Sequence, residues 1–103
     1  MKPRNSAVER SLYRITFPNG KVYIGIARWP RSRFMAHLAN AKKGVNLPIH
    51  RAIRKHGAEA IVMEVLAVGK AEYIAELEAR AITAFGARGK GGYNVAIGGD
   101  VAA

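Results

Sequence analysis

The chain of 103 residues contains no cysteine, which excludes disulfides, thiolate metal sites and thiol catalysis. A chain without cysteine suits a reducing compartment, and we expect a cytoplasmic location. Long apolar runs are also absent, and none approaches the roughly 20 residues that a membrane-spanning helix needs. The basic residues 1–5 lack the apolar stretch of a secretion signal. The sequence therefore predicts neither a membrane protein nor a disulfide-stabilised secreted one.

Acidic residues are scarce, with 7 in the whole chain, and no two of them form a DxD-type group. A two-metal carboxylate cluster is therefore not expected, and a metal-dependent activity of this chain would use one metal ion. The 3 histidines are not spaced as the ligands of a zinc site. The acids are Glu9, Glu59, Glu64, Glu72, Glu76, Glu78 and Asp100.

Basic residues, in contrast, are abundant, and 17 lysines and arginines give the chain a net charge of +10. Such an excess favours polyanions, because contact with phosphates releases condensed counterions. The alternatives are a basic chain without such a partner and a chain bound to an acidic membrane surface. No long lysine-rich amphipathic helix supports the membrane alternative. Nucleic acid is therefore the favoured partner.

Hydrophobic residues make up 50% of the chain, which is enough for one small domain with a single core. Gly44, Gly57 and Gly86 mark the ends of three helical patterns. The local patterns predict strands at about residues 11–17, 21–26 and 61–68, the last of them buried, helices at about 31–43, 48–57 and 71–85, and a loop at 28–32. The predicted organisation is a basic N-terminal arm (1–10), one domain (11–99) and a C-terminal tail (100–103).

The strongest signal is a hairpin that carries Tyr13 in its first strand and Tyr23 in its second. Side chains alternate across a strand, so the register decides whether the two tyrosines share a face. A two-residue turn pairs Phe17 with Val22 and puts the tyrosines on opposite faces. A three-residue turn pairs Phe17 with Lys21 and puts them on the same face. Only the second register lets both hydroxyls point into one basic pocket.

We expect the three-residue turn at Pro18, Asn19 and Gly20. Proline fits the second position of a type I turn, and Gly20 fits the left-handed residue that follows. The two-residue turn stays open, because Asn-Gly is also a preferred tight turn. Each tyrosine taken alone is also compatible with an ordinary strand residue that packs through its ring.

A carboxylate, Glu78, lies in the apolar stripe of the predicted third helix. Burying a carboxylate among core residues is costly unless it is paired or bound to a cation. Glu78 is therefore either one half of a structural salt bridge or a ligand of a hard divalent cation, whose coordination water and phosphate oxygens would complete. The stripe consists of Ile74, Leu77, Ala81, Ile82 and Phe85.

Arg33 and His37 are four residues apart and so lie on one face of the first predicted helix, beside the apolar pair Phe34 and Leu38. An arginine there can grip a phosphate with two hydrogen bonds and stabilise charge in a transition state. A histidine one turn further on can accept a proton or orient a tyrosine. The alternative is a solvated basic face that happens to carry a histidine.

Further basic residues are candidates for contact with a nucleic-acid backbone. We expect less of His50 and His56, which lie among the basic residues of the second predicted helix. That helix is either a phosphate-contacting surface or simply solvated. The predicted DNA-binding residues are Lys21, Arg28, Arg31, Lys42, Lys43, Arg51, Arg54 and Lys55.

These pieces occur in an order that resembles a known family. They are Ser11-Leu12-Tyr13, Tyr23-Ile24-Gly25, the helix with Arg33 and His37, Lys55-His56-Gly57, Glu78 and Gly92-Tyr93-Asn94. Over about residues 11–99 the chain resembles the GIY-YIG nuclease superfamily. It departs from the pattern at Ser11 and Leu12, where the family has Gly and Ile. Phage members of the family also have a histidine just after the Lys-Gly pair that matches residues 43–44. In this chain the role of that histidine is either missing or taken by Asn46.

The resemblance implies an α/β (α+β) fold, a small three-stranded antiparallel sheet flanked by about three helices. It implies hydrolysis of DNA phosphodiester bonds with one Mg²⁺ or Mn²⁺. By position in the motifs, it implies Tyr13 as the general base or water-orienting group, Tyr23 as a hydrogen-bonding assistant, Arg33 as the phosphate ligand, His37 as proton acceptor or support of Tyr13, Glu78 as the metal ligand and Asn94 as an anchor of the local geometry.

A tyrosine is a poor base at neutral pH because its ordinary pKa is about 10. We expect Arg33, Lys21 and the metal to favour the phenolate of Tyr13 and so to lower its pKa. Two other functions stay open. One is a catalytically idle nucleic-acid-binding module, which need not retain all six site residues. The other is a DNA-repair or junction nuclease that depends on a partner protein or an oligomer for its specificity.

Overall fold

A computed structural model describes residues 9–95. Most of the predicted arm, residues 1–8, lies outside the described residues, as do the end of the predicted domain and the whole tail, residues 96–103. The elements in chain order are β1 (Glu9–Thr16), β2 (Val22–Ala27), α1 (Pro30–Lys43), α2 (Pro48–His56), a 3-10 turn (Ala58–Ala60), β3 (Val62–Lys70) and α3 (Ala71–Ala84).

The three strands form one antiparallel sheet in the order β2-β1-β3, which confirms the predicted fold. The central strand β1 therefore shares a hydrogen-bonded ladder with each edge strand. A bulge between Leu12 and Tyr13 shifts the register against β3. Within the described residues, no helix has the length and apolar content needed to cross a bilayer.

The hairpin has the expected three-residue turn. The N–H of Phe17 donates to the Lys21 carbonyl at 2.9 Å, and Tyr13 lies opposite Gly25 in the ladder. Gly20 adopts a φ of 84°, the left-handed conformation that the turn requires and that favours glycine. Tyr13 and Tyr23 consequently lie on the same face of the sheet.

Each face of the sheet carries its own apolar cluster. The face with the tyrosines packs under α1 and α2, and the opposite face packs under α3. The first cluster contains Tyr13, Ile15, Phe17, Ala41, Ile49 and Ile53. The second contains Leu12, Ile24, Ile26, Ile74 and Ile82. The predicted domain thus has a three-layer arrangement in which both faces of the sheet are covered.

The expectation of a buried third strand is wrong. β3 is an edge strand, and Val62, Val65 and Val68 are 57%, 46% and 60% exposed. α1 contacts the sheet mainly at β1 and β2, so it leaves this edge largely uncovered on the face with the tyrosines. An apolar run of this length predicts a strand, but it does not distinguish a central strand from an edge one.

The apolar stripe of α3 is confirmed at Ile74 and Ile82, which are buried, and wrong at Phe85. The helix ends at Ala84, and Phe85 in the capping position is 41% exposed. The guanidinium of Arg14 lies over its ring at 5.1 Å, a cation–π contact at the surface. The predicted ends of α1 and α2 are confirmed at Gly44 and Gly57.

Candidate active site

The centre of the site is a hydrogen bond between Tyr13 and His37. Tyr13 extends from the middle of β1 and is 1% exposed, and His37 comes from α1 and is 8% exposed. The phenolic oxygen and Nε2 of the imidazole are 3.0 Å apart. Either the hydroxyl donates to a bare Nε2, or the other tautomer donates from Nε2–H to the phenolic oxygen. This contact joins residues that are 24 positions apart in the chain.

The half-buried Tyr23 completes an aromatic group with these two residues. Its ring centre lies 6.3 Å from that of Tyr13 and 5.2 Å from that of His37, which it meets edge-on. The three-residue turn is what brings the two phenols to one face. The prediction that the two tyrosines share one face of the sheet is therefore confirmed, and His37 lies against both rings.

Gly25 explains how Tyr13 fits across β2. The two residues are paired in the ladder, and a Cβ built on Gly25 would overlap the hydroxyl and ring of Tyr13. Any side chain at this position would push the phenol away from His37. The glycine of the Tyr23-Ile24-Gly25 motif is thus required by the close approach of a ring and not by an unusual backbone angle.

Burial has a larger effect on the pKa values of the two phenols than the neighbouring cations have. Loss of solvation raises the pKa of Tyr13 far above its usual value, and the charge of Tyr23 raises it further. Burial and the carboxylate of Glu78 likewise raise the pKa of Tyr23. Arg33 acts in the opposite direction on both but is outweighed. For the protein alone, the expected lowering of the Tyr13 pKa is therefore wrong.

His37 is a neutral base at physiological pH. Burial lowers its pKa from 6.5 to about 4, and the positive charges of His50 and Arg33 act in the same direction. A neutral imidazole has one bare nitrogen and can accept a proton. The pair formed by Tyr13 and His37 consequently consists of a protonated phenol and an unprotonated imidazole.

Arg33 and Glu78 act on the same pair of phenols from two different helices. Arg33 lies one turn before His37 on α1, and Glu78 lies on α3; both are half-buried. The arginine lowers and the carboxylate raises the pKa of Tyr13 and of Tyr23. The charges of Arg33 on α1 and Glu78 on α3 therefore both reach the phenols of β1 and β2.

A metal ion at this centre would depend on few protein ligands. No group of three or more histidine, aspartate or glutamate side chains suited to a metal occurs in residues 9–95. A single carboxylate beside phenolic oxygens offers hard oxygen donors, which suit Mg²⁺ or Mn²⁺ better than a soft metal. Glu78 thus fits an ion that takes most of its ligands from water and phosphate.

Asn94 holds β2 in place and does not project into the aromatic group. Its Oδ1 accepts from the Ile24 N–H at 2.9 Å, and its Nδ2 donates to the Ile24 carbonyl at 2.7 Å. Val22 and Gly92 form a parallel bridge just before it, so the C-terminal segment runs beside the outer edge of β2. Because Ile24 follows Tyr23, this amide fixes the strand that carries the second phenol.

His50 is a residue whose place the sequence interpretation missed. It lies in the first turn of α2, is 3% exposed, and its ring centre is 5.8 Å from that of His37. Neither ring nitrogen has a hydrogen-bond partner within the described residues. Burial, and then the charge of Arg54, lower its pKa. The signal was its spacing from Ile53, which puts both on the core-facing side of the helix.

Two of the predicted DNA-binding cations, Arg51 and Arg54, hydrogen-bond to the backbone of neighbouring segments. Arg54 Nη1 donates to the carbonyls of Ala41 and Val45 at 2.8 and 2.9 Å, so it joins α2 to the end of α1. Arg51 Nη1 donates to the Asn46 carbonyl at 2.7 Å. Asn46 is exposed and accepts hydrogen bonds from Arg51, outside the aromatic group.

The remaining cations lie at the surface around the site. Arg28 and Arg33 line a cavity of about 200 Å³ at the start of α1, beside the exposed indole of Trp29. The guanidinium of Arg28 lies over that indole at 5.3 Å. The exposed residues Arg31, Lys42 and Lys43 are further along α1, and Lys21 and Lys55 line a second cavity described below.

Comparison with known proteins agrees with this arrangement. Residues 10–94 match the family described as the GIY-YIG catalytic domain. The chain belongs to the GIY-YIG family. It is a nuclease catalytic domain, as its motifs predict. A solved structure, that of the catalytic domain of homing endonuclease I-TevI, is 28% identical, with a TM-score of 0.73 over 84% of this chain and 98% of that one. No curated protein matches the chain.

Proposed function

We propose that this GIY-YIG domain is a metal-dependent endonuclease that hydrolyses DNA phosphodiester bonds. The observation that carries the proposal is the buried hydrogen bond between a protonated Tyr13 and a neutral His37. The net charge of +10 favours a polyanionic substrate. The similar I-TevI domain comes from a homing endonuclease, which makes DNA the substrate to test first.

In this proposal Tyr13 and His37 share the work of a general base. Because burial raises the pKa of Tyr13, its phenolate is not populated at neutral pH. The phenol therefore takes a proton from water only as its own proton passes to Nε2 of His37. The resulting hydroxide attacks phosphorus, and the leaving oxygen departs from the opposite side and takes a proton from solvent. Protons and charge balance, and His37 ends the step as an imidazolium.

The other site residues bind and orient the phosphate. Arg33 contacts its oxygens and stabilises the charge that develops on them. Tyr23 is more accessible than Tyr13 and donates a hydrogen bond to the nucleophile or to the phosphate. Asn94 acts as a positioning residue, since its amide binds only the backbone of Ile24. The half-buried Lys21 and the exposed cations Arg28, Arg31, Lys42, Lys43 and Lys55 contact the DNA backbone.

Glu78 would hold the metal ion, Mg²⁺ or Mn²⁺. Such an ion, when bound, supplies Lewis-acid neutralisation of the phosphate charge. The position of Glu78 supports this role, because the carboxylate raises the pKa of both phenols and so lies close to them electrostatically.

Nicking of supercoiled plasmid in the presence of Mg²⁺ tests the proposal. We expect Glu78→Gln to reduce the nicking rate by about 100-fold or more, since removing a group that stabilises transition-state charge has effects of this order. Glu72→Gln is the matched control, because Glu72 is an exposed carboxylate one and a half turns earlier on α3. Equal rates for both variants would remove Glu78 from the mechanism. A parent chain that binds plasmid and never nicks it would instead be the idle binding module.

A further inference from the structure

A second concave site lies on the tyrosine face, at the turn end of the hairpin. It is a cavity of about 240 Å³ between that turn and α2, here called the hairpin pocket. Its polar lining consists of Asn19, Lys21, Arg51, Lys55 and Tyr93. Three of these side chains are cations, and no carboxylate lines the cavity. The pocket therefore concentrates positive charge in a concave surface.

The amide of Asn19 organises the floor of the pocket. Its Oδ1 accepts from the Lys21 N–H at 3.0 Å, and its Nδ2 donates to the Tyr93 hydroxyl at 2.8 Å. The Tyr93 oxygen is the acceptor in that bond, so its own hydrogen is available to donate to a ligand. The pocket thus combines three positive charges with an oriented hydroxyl donor.

Arg51 is anchored with donors to spare. Its Nη1 donates to Asn46, while Nε and Nη2 have no hydrogen-bond partner among the described residues. An arginine held by one nitrogen loses less side-chain entropy when it binds an anion with the others. Arg51 is therefore well placed to bind an anionic oxygen of a ligand in place of water.

The aromatic ring of Tyr93 already contacts two side chains, which favours a phosphate over a base. Phe17 meets it edge-on with ring centres 4.8 Å apart, and the Lys21 ammonium lies 5.6 Å from its centre. A nucleobase needs an open aromatic face on which to stack. A phosphate needs only the cations and the hydroxyl, so a phosphate is the better ligand.

The pocket lies next to the catalytic phenols. Lys21 immediately precedes β2 and lies on the same face as Tyr23. The two residues are two positions apart on an extended backbone, so their Cα atoms are separated by about 7 Å. One strand of B-DNA rises about 3.4 Å per nucleotide. Neighbouring phosphates on one strand are offset around the helix as well as along it and are about 7 Å apart through space, so the separation is that of adjacent phosphates.

We propose that the hairpin pocket binds a backbone phosphate of the DNA strand, adjacent to the phosphate held at Tyr23. The part of this inference that places a second phosphate at Tyr23 rests on the proposed nuclease function. Binding of a phosphate in the hairpin pocket does not itself require hydrolysis. The pocket fixes where the strand lies along β2 without reading its sequence.

Fluorescence anisotropy with a short labelled DNA duplex in EDTA tests this site without cleavage. We expect Lys55→Glu to weaken binding about tenfold, the cost of one charge-assisted phosphate contact. The matched control is Lys70→Glu, which changes the net charge equally. Lys70 pairs with Glu9 at the far end of β1, about 25 Å from the turn. We expect that variant to bind within about twofold of the parent, as surface charges beyond a Debye length are screened.

Three results would overturn the pocket. The first is equal weakening of binding by Lys55→Glu and Lys70→Glu, which would indicate diffuse attraction only. The second is unchanged binding by Lys55→Glu. The third is an unchanged salt dependence of binding in the milder variant Lys55→Gln. That milder variant removes one phosphate contact and should lower the slope of log affinity against log salt by about 1. It also keeps the test informative if charge reversal prevents folding. A chain that shows the expected binding but no nicking would contradict the proposed hydrolysis and leave the pocket intact.

Discussion

At the scale of single residues, the site consists of groups whose pKa values differ from their ordinary values. Tyr13 is a phenol made less acidic by burial, and His37 is an imidazole made less basic by burial. A pair of this kind stores no net charge in the core and can still move a proton along its hydrogen bond. Because His37 is buried in its neutral form, the arrangement lowers the free energy of unfolding at low pH.

We predict that stability falls as pH drops from about 6.5 to 4. In the folded chain the pKa of His37 is about 4, whereas in the unfolded chain it has its ordinary value of 6.5. Within this window the unfolded chain binds the extra proton, so the free energy of unfolding decreases with decreasing pH. The shift corresponds to about 3 kcal/mol, since one pKa unit is about 1.4 kcal/mol. Urea unfolding at both ends of the window measures it.

His37→Gln is the variant that isolates this effect. It removes the titrating group while leaving a polar side chain near Tyr13, so the fall in stability across the window should be smaller by about 3 kcal/mol than in the parent. His50, whose pKa is also lowered, continues to contribute in both chains. An identical pH dependence in the two proteins would show that His37 is not buried as a neutral base.

At the scale of elements, β2 is an edge strand that has been given an outer partner. The segment with Gly91, Gly92 and Tyr93 binds the backbone of Val22, and Asn94 then continues the ladder with its side-chain amide. An edge strand without such a partner exposes unpaired N–H and C=O groups. β3, the other edge of this sheet, has exposed valines instead.

We predict that Asn94→Ala loosens β2 at Ile24. Two hydrogen bonds of the Ile24 backbone are lost, which should cost about 1–3 kcal/mol in total. Hydrogen exchange monitored by NMR should show the Ile24 amide exchanging about 10- to 100-fold faster. Ile15, whose amide lies in the central strand, serves as the internal control. Unaltered Ile24 protection would mean that the amide does not hold this strand.

At the scale of the whole molecule, positive charge surrounds a nearly neutral catalytic centre. The net charge is +10, while the buried phenols and imidazoles contribute none of it at neutral pH. In the proposed function, the long-range field attracts DNA without discriminating among sequences, and the short-range geometry decides which phosphate is cut. This separation predicts a strong dependence of binding on salt and a weak dependence on sequence.

We predict that affinity for a short DNA duplex falls about a thousandfold between about 50 and 200 mM salt. That decrease corresponds to about six phosphate contacts and follows from counterion release. Anisotropy titrations over this range, repeated with a second duplex of unrelated sequence, provide the measurement. A flat salt dependence, or a large affinity difference between the two duplexes at one salt concentration, would contradict the prediction.

Much of the fold and site could be predicted because the signals are local. The turn at Pro18–Gly20, the glycine ends of α1 and α2, and the family motifs each depend on a few neighbouring residues. The shared face of Tyr13 and Tyr23 followed from the hairpin register, whereas the contact of Tyr13 with His37 was implied only by the family resemblance. Predictions failed where burial depends on distant elements, as with the exposed strand β3, the exposed Phe85 and the buried His50.

The amino-acid sequence by itself determined the charge, the lack of thiol chemistry, the sequence of strands and helices and the identity of the phenol, imidazole, guanidinium and carboxylate groups. The tertiary structure decided how acidic or basic those groups are. Solvation is lost only when β1, α1 and α2 close over Tyr13 and His37, and this loss outweighs the charge of Arg33. Proton affinity depends on the surroundings of a group in space, and neighbours along the chain specify only a small part of those surroundings.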